Sequence, residues 1–152
     1  MSDESFTLDT NVLVYSVDRR AGHRHEIAKD IVRRASLRQC HLTLQSISEF
    51  YAAVTRKRMM PLAGAAQFAR DMIETFPTAA ASASAVRFAL TSAANGHASY
   101  WDALLVATAA EAGCTIILTE DLADGTLLCG VRVLNPFGDN NLSAAAAALF
   151  AE

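Results

Sequence analysis

The chain has 152 residues, of which 52% are hydrophobic and 19% are charged, and its formal net charge is −3 at pH 7. This composition excludes a disordered polyelectrolyte, and the length suits one compact domain, so we expect residues 1–152 to form a single domain. The net negative charge argues against generic adhesion to nucleic acid.

The charge is unevenly distributed along the chain. Residues 1–60 carry ten Lys or Arg against seven Asp or Glu, whereas residues 61–152 carry three against nine. The two parts therefore have net charges of +3 and −6, which sum to the −3 of the whole chain. A basic part opposite an acidic part can guide a polyanion while it leaves carboxylates available to cations, and ordinary solvated helix faces explain the same pattern.

Cysteine usage and the N-terminal residues both indicate a reducing compartment. Cys40, Cys114 and Cys129 are odd in number and form no CxxC pair, so neither a disulfide framework nor a thiolate zinc site is predicted. Asp3 and Glu4 stand where a secretory signal needs basic residues, and the apolar run TIILT is far shorter than a membrane span. We therefore expect a cytoplasmic protein without a membrane anchor.

Short apolar runs alternate with helical patterns along the chain. The first half predicts a strand over 6–8, a helix over 11–18, an amphipathic helix from about 22 to 38, a strand over 41–44 and a helix over 46–58. The second half predicts a helix opened by Pro61, a helix over 82–95 ended by Gly96, a helix from Ser99 to Gly113, and strands at TIIL and VRVL.

Strands separated by helical segments predict an α/β domain with a mostly parallel central sheet and helices on both faces. In such sheets, ligands bind beyond the carboxyl ends of the strands. That edge of the sheet is therefore the place to look for chemistry.

Four acidic residues from distant segments are expected at this edge. Asp9 and Asp121 each follow an apolar strand, and Glu49 lies in the first turn of the helix that follows the second strand. Asp102 lies in the first turn of the helix that leads into the TIIL strand. Because a helix that returns over a parallel sheet begins at the carboxyl edge, all four carboxylates should converge there.

Each acid also has a purely structural interpretation. Ser46 with Glu49 and Ser99 with Asp102 both match the S-x-x-E/D capping box, which places an acid in the first turn of a helix for stability alone. In the same way, Asp9 can cap the next helix, and Asp121 can serve a turn. Four unrelated capping residues, however, need not share one sheet edge.

Converging carboxylates point to a metal site. They repel one another, which raises their pKa values and costs stability unless cations or helix N-termini offset the field. Oxygen-only ligands select hard ions, and a few carboxylates completed by water and phosphate suit Mg²⁺ or Mn²⁺. Such ions activate water and clamp a scissile phosphate, so the pattern predicts phosphodiester hydrolysis.

Four stretches of the chain resemble, in order and spacing, the PIN domain family, and in particular the VapC-type toxins of bacterial toxin–antitoxin pairs. They are LDTNVLVYSVD, SISEFYAAVTRK, SYWDALLVATAAEAGCTIILTEDL and VRVLNPF, which together extend from about Ser5 to Phe137. The resemblance implies a PIN-like three-layer fold and a Mg²⁺- or Mn²⁺-dependent endoribonuclease acting on RNA. It also implies a homodimer that is held inactive by a small VapB-like antitoxin covering the catalytic face.

The resemblance further implies a set of site residues. The catalytic and metal-binding acids are Asp9, Glu49, Asp102 and Asp121, supported by Thr119 as a polar partner and Asn11 as a residue that orders the first loop. In this hypothesis the three aspartates hold one ion, and Glu49 helps with a second ion or positions the attacking water. No covalent intermediate forms.

Two other functions compete with this interpretation. A phosphatase or phosphate-accepting receiver domain also clusters acids at strand ends, but a receiver needs paired acids after its first strand and a Lys near its last. This chain has only Asp9 at the first position and no Lys after Lys57. The other alternative is a non-catalytic RNA- or protein-binding scaffold with the PIN fold, and the intact acids argue against it.

Basic residues follow the first and third predicted helices. They are Arg19, Arg20 and Arg24 in one group and Arg56, Lys57 and Arg58 in the other. Both groups could contact phosphates, although solvation at the surface is the simpler interpretation. The nearby pair His23 and His25 lacks a further ligand at metal-site spacing, so a solvated helix start is predicted there.

Overall fold

The computed structural model describes residues 4–151 of the chain. The strands are β1 (Phe6–Leu8), β2 (Leu42–Thr43), β3 (Thr78–Ala79), β4 (Ile116–Leu118), β5 (Leu127–Leu128) and β6 (Val131–Leu134). The helices are α1 (Thr10–Tyr15), α2 (His23–Ala35), α3 (Leu44–Arg56), α4 (Leu62–Thr75), α5 (Ala83–Ala94), α6 (Tyr100–Glu111) and α7 (Ala144–Phe150), with a short 3-10 turn at Arg19–Ala21.

The central sheet has the strand order β1-β4-β6-β5. Strands β1, β4 and β6 are parallel, and β5 runs antiparallel to β6. Strands β2 and β3 form a second parallel pair, and a parallel bridge between Phe6 and Cys40 places this pair beside β1. The expected α/β fold with a mostly parallel sheet is confirmed.

Helices cover both faces of the sheet because successive strand residues point to opposite sides. Ile116 and Leu118 of β4 lie in a large core that also contains residues of α1, α2, α3, α4 and α7. Ile117, between them, packs instead with Leu105 and Val106 of α6. The three-layer arrangement expected from the sequence is therefore present.

Helix α6 lies between the sheet and helix α5. Its residues 103–109 are all buried, and α5 packs against it through small side chains such as Ala85 and Ala89. An apolar sequence around the whole helix is what such a central position requires. Within residues 4–151, no helix combines the length and apolar character needed to cross a membrane.

The beginning of α3 differs from the sequence-based expectation. The second strand ends at Thr43, and Leu44 already belongs to the helix, two residues before the expected start. The Thr43 hydroxyl caps α3 by accepting a hydrogen bond from the backbone N–H of Ser46 at 3.0 Å. The capping-box interpretation of Ser46 and Glu49 is therefore wrong, and Glu49 lies in the second turn.

Two helix ends also come earlier than expected. Helix α1 stops at Tyr15 instead of residue 18, and α2 stops at Ala35 instead of about residue 38. Each helix is followed by a serine, Ser16 or Ser36, whose hydroxyl donates to the carbonyl three residues earlier, at 2.6 and 2.7 Å. Such local side-chain bonds compete with continuation of the helix.

The assignment of the α3 cap predicts unequal effects for two substitutions on one helix. Thr43→Ala should lower the free energy of unfolding by about 1–2 kcal/mol because a helix N–H loses its acceptor. Ser48→Ala, at an exposed position on α3, should change it by less than about 0.5 kcal/mol. Urea denaturation of both variants measures the difference, and equal effects would contradict the assigned start of α3.

Candidate active site

Asp9 occupies the carboxyl end of β1, where its side chain is only 8% exposed. Its backbone N–H donates to the Leu118 carbonyl at 3.0 Å, which joins the end of β1 to the end of β4. One carboxylate oxygen accepts the backbone N–H of Thr10 at 2.7 Å and so caps α1. The other oxygen accepts the hydroxyl of Thr119 at 2.7 Å, so both oxygens are held by protein donors.

Thr119 links Asp9 to Asp121. Its buried hydroxyl donates to Asp9 and accepts the backbone N–H of Asp121 at 3.0 Å. One side chain therefore orients the first acid and shapes the turn that carries the second. On the opposite side, the Asn11 amide donates to the Asp121 carboxylate, which ties the start of α1 to the turn after β4.

Glu49 faces the same region from α3 and is held by two donors that the sequence analysis did not identify. The Thr10 hydroxyl donates to Glu49 at 3.2 Å, and the Gln45 amide donates to it at 3.1 Å. Gln45 also donates to the Trp101 carbonyl at 2.9 Å, which connects α3 to the first turn of α6. The contact between Gln45 and Glu49 could have been predicted from their i, i+4 spacing, because this spacing places both side chains on one face of a helix.

Asp102 lies in the first turn of α6, as expected. Ser99 caps this helix by accepting the backbone N–H of Asp102 at 3.1 Å. The carboxylate of Asp102 has no hydrogen-bond or ion-pair partner within residues 4–151, so it does not complete a capping box. Capping therefore accounts for the serine and leaves the acid available to a ligand.

These four acids line one cavity of about 370 Å³, which we call the acidic cavity. Its other lining residues are Thr10, Asn11, Ala52, Ala53, Arg56 and Leu105. Carboxylates from two strand ends and two helices thus converge at the carboxyl edge of the sheet. The structure thus brings the four acids to one cavity, and their roles as catalytic and metal-binding residues stay predictions.

The spacing of the acids bears on which metal would fit. In the described part of the chain, no three His, Cys, Asp or Glu side chains form a group that could hold an ion by themselves. Mg²⁺ usually keeps several waters and binds through one or two carboxylates together with substrate phosphates. The oxygen-only donors of the acidic cavity fit a hydrated ion of this kind, and a shared ion held by Asp9, Asp102 and Asp121 stays a prediction.

The electrostatics of the acidic cavity are unfavourable without a cation. Burial, and after it the negative charge of Asp121, raise the pKa of the Asp9 carboxyl from 3.8 to about 6. The hydrogen bonds from Thr119 and from the Thr10 N–H oppose this rise. A nearby divalent cation would favour the charged carboxylate, because opposite charges stabilise each other strongly at a partly buried site.

Glu120 supports the turn after β4 from its outer side. Its carboxylate accepts hydrogen bonds from the Tyr15 hydroxyl and from Arg24, the latter at 2.9 Å. The Arg24 guanidinium lies 5.8 Å from the ring centroid of Phe137, which packs edge-on against Tyr15. Burial and the bond to Glu120 raise the pKa of Tyr15 to about 12. Glu120 is therefore held away from the acidic cavity, and nothing in the local sequence indicated these partners.

Residues 6–123 match the family model of the PIN domain, so the chain belongs to the PIN domain family. Its overall fold is that of the VapC toxins found in solved structures. A comparison with curated proteins finds no match.

Three solved structures illustrate the similarity. VapC20 of Mycobacterium tuberculosis, a sarcin–ricin loop cleaving toxin, has a TM-score of 0.60 and 18% identity, covering 77% of this chain and 92% of that one. A toxin–antitoxin complex from Klebsiella pneumoniae has a TM-score of 0.61 and 20% identity, covering 88% and 98%. DNA-bound VapBC from Salmonella typhimurium has a TM-score of 0.61 and 14% identity, covering 86% and 96%. At these identities the similarity shows the fold.

The raised pKa of Asp9 predicts a pH-dependent stability in the absence of metal. Native Asp9 binds its proton more tightly than the unfolded chain does, so this contribution to stability is present below 3.8 and is lost as the pH rises through about 6. Asp9→Asn lacks the titration. Relative to this variant, the free energy of unfolding of the wild-type chain should fall by up to about 3 kcal/mol between roughly pH 4 and pH 7.

Urea denaturation in EDTA across that pH range measures the difference. Asp71→Asn, at an exposed position on α4, controls for the loss of a carboxylate as such. A constant difference between wild type and Asp9→Asn at every pH would contradict the assignment.

Proposed function

We propose that this protein is a metal-dependent endoribonuclease that hydrolyses RNA phosphodiester bonds and acts as the toxin of a type II toxin–antitoxin pair. The observation that carries the proposal is the acidic cavity, in which carboxylates from two strand ends and two helices meet within a PIN domain. The similarity in fold to the VapC toxins supports the toxin role.

The donor set of the acidic cavity favours Mg²⁺ or Mn²⁺ as the cofactor. Asp9, Glu49, Asp102 and Asp121 offer only carboxylate oxygens, which are the preferred ligands of hard divalent ions. A bound ion of this kind supplies an activated water molecule and neutralises charge on the scissile phosphate. Asp102 is the acid with no partner of its own among the described residues, so it binds an ion without breaking a protein contact.

Residues in and beside the acidic cavity orient the acids, and the rest of its lining admits the substrate. Thr119 and Asn11 hold Asp9 and Asp121, while Thr10 and Gln45 hold Glu49. The small side chains at positions 52 and 53 leave space for a nucleotide backbone, and Arg56 provides a positive charge at the wall. Pre-arranged groups of this kind reduce the reorganisation needed during reaction.

Water is the nucleophile in this scheme. Among the residues that line the acidic cavity there is no Ser, Cys or His, and the hydroxyl of Thr10 is engaged by Glu49. In this scheme the Thr10 hydroxyl holds the Glu49 carboxylate and does not attack the phosphate. Glu49, which accepts two hydrogen bonds, orients the attacking water molecule through its carboxylate.

A small VapB-like antitoxin and a second copy of the chain are the proposed protein partners. The similar structures from Klebsiella and Salmonella are toxin–antitoxin assemblies, which supports the first partner. Leu44, Tyr51 and Trp101 are large apolar side chains that are 39%, 36% and 58% exposed. An exposed apolar set on α3 and at the start of α6 is typical of a protein contact surface.

Removal of one acid should abolish cleavage without unfolding the protein. Asp121→Asn should lower kcat for RNA cleavage in Mg²⁺ by at least about 100-fold, because a carboxylate ligand of the proposed cation is lost and with it the activation of water at the phosphate. Asp121 is exposed, so the fold should be retained. Denaturing gel analysis of a labelled RNA, with and without EDTA, measures the effect.

Asp71→Asn, prepared in parallel, should keep wild-type activity because its carboxylate lies on α4 and lines neither cavity. Full metal-dependent turnover by Asp121→Asn would count against the proposed site. RNA binding by the wild-type chain without any metal-dependent cleavage would instead identify the alternative function, a non-catalytic scaffold.

Thr119 offers a test of positioning that is separate from ligand charge. Thr119→Val removes the hydroxyl that donates to Asp9 and accepts from the Asp121 N–H, so the Mg²⁺ concentration for half-maximal activity should rise roughly 10- to 100-fold. Thr119→Ser keeps the hydroxyl and should restore the wild-type requirement. Mg²⁺ titrations of cleavage rate compare the variants, and equal requirements for Val and Ser would rule out this role.

A further inference from the structure

A second cavity, of about 1070 Å³, has a lining that includes the residues directly after α1 and directly after α3 in the chain. Its charged lining residues are Arg19, Arg20, Lys29, Lys57 and Arg58, with Asp18 as the one acid among its lining residues. We call it the basic cavity. It brings together two members of each basic group of the sequence, residues 19–20 and residues 57–58, which are separated along the chain by more than a complete helix.

Most of these cations have no acidic partner. Arg19, Arg20, Lys57 and Arg58 are exposed and form no ion pair with any of residues 4–151. Asp18 forms no salt bridge with any of residues 4–151. Its carboxylate accepts the backbone N–H of Arg20 at 3.1 Å instead. Like charges gathered without counter-charges repel one another and create a positive field that attracts a polyanion.

The wall of the basic cavity also contains apolar side chains. Val17, Met59, Met60 and Phe68 are partly buried and line the same space. Phe68 stacks on Phe50 of the core, with ring centroids 5.0 Å apart, so its position is fixed by packing. Cations beside an aromatic and apolar surface are the combination used to bind single-stranded nucleic acid, in which phosphates meet the cations and bases lie on the apolar surface.

The two cavities are joined by the same pair of packed helices, α1 and α3. Helix α1 begins with Thr10 and Asn11 at the acidic cavity and is followed by Ser16 at the basic cavity, a distance of about 9 Å at the rise of a helix. On α3, Arg56 lines the acidic cavity, and Lys57 immediately after it lines the basic cavity. The two cavities therefore lie on adjoining parts of one helix pair.

We propose that the basic cavity binds the phosphates and bases of the RNA strand on one side of the scissile bond. The inference rests on the proposed ribonuclease function and adds a substrate-binding subsite to it. The acidic cavity repels a polyanion, and the chain as a whole carries a net charge of −3, so a local positive surface must supply the attraction. The unpaired cations of the basic cavity supply it next to the reacting centre.

Binding can be tested separately from cleavage. In EDTA, fluorescence anisotropy with a single-stranded RNA of about ten nucleotides, a length within known single-strand site sizes, reports affinity against salt concentration. The double variants Arg19→Gln/Arg20→Gln and Lys57→Gln/Arg58→Gln should each weaken binding about tenfold and lower the salt slope of log K by about 1.4. Arg87→Gln/Arg132→Gln removes two exposed charges that line neither cavity, and it should leave the slope unchanged.

Kinetics distinguish this inference from the proposed function. With the same RNA and Mg²⁺, the two basic-cavity variants should raise KM and leave kcat unchanged, because the lost contacts stabilise ground state and transition state equally. Wild-type cleavage with unchanged KM and salt slope in both variants would overturn the subsite while the ribonuclease function stands. RNA binding that depends on these cations without any wild-type cleavage would support the subsite and refute the ribonuclease function.

A protein occupant is the competing outcome. An acidic amphipathic peptide labelled for anisotropy provides the probe, since it matches the charges and apolar wall of the basic cavity as well. Loss of peptide binding in the double variants, with RNA binding retained, would overturn the proposal and identify the cavity as a protein-docking groove.

Discussion

The buried carboxylate of Asp9 is the constraint on which the site depends. Strand β1 places it at the sheet edge, and the Thr10 N–H and the Thr119 hydroxyl hold its two oxygens. Its raised pKa shows that these two bonds do not compensate fully for burial beside Asp121. Two of the other acids are tied to this point, because Thr119 also shapes the turn that carries Asp121 and Thr10 also binds Glu49.

Two cavities of opposite charge share helices α1 and α3. The uneven charge of the chain contributes to this arrangement, since the first 60 residues are net positive and the rest net negative. Residues 19–20 and 57–58 supply the basic cavity, while Asp102 and Asp121 bring negative charge from the second half. In the proposed function, the basic cavity attracts the RNA and the neighbouring acidic cavity carries out the reaction. The polyanion can therefore approach a group of acids that would otherwise repel it.

Structural features that are local could be predicted from the sequence. The apolar runs of β1, β4 and β6 are typical of buried parallel strands, and the acids that follow the first two necessarily lie at the carboxyl edge. The start of α3 was predicted wrongly, because Thr43 and Ser46 are both residue types that cap helices and the cap in the structure is Thr43. Strands β3 and β5 were not predicted, since two residues each carry no recognisable periodicity.

The residue types of the candidate site, acids with only oxygen ligands at the edge of a parallel sheet, could be read from the sequence, because side-chain chemistry and strand direction are local properties. The tertiary structure was needed to show how the acids are held. The contacts of Asn11 with Asp121 and of Thr119 with Asp9 join residues 110 positions apart. It also decided that two separate basic segments line one cavity. Such contacts depend on how helices pack against the sheet, which results from many side-chain contacts spread over the chain and not from any single segment.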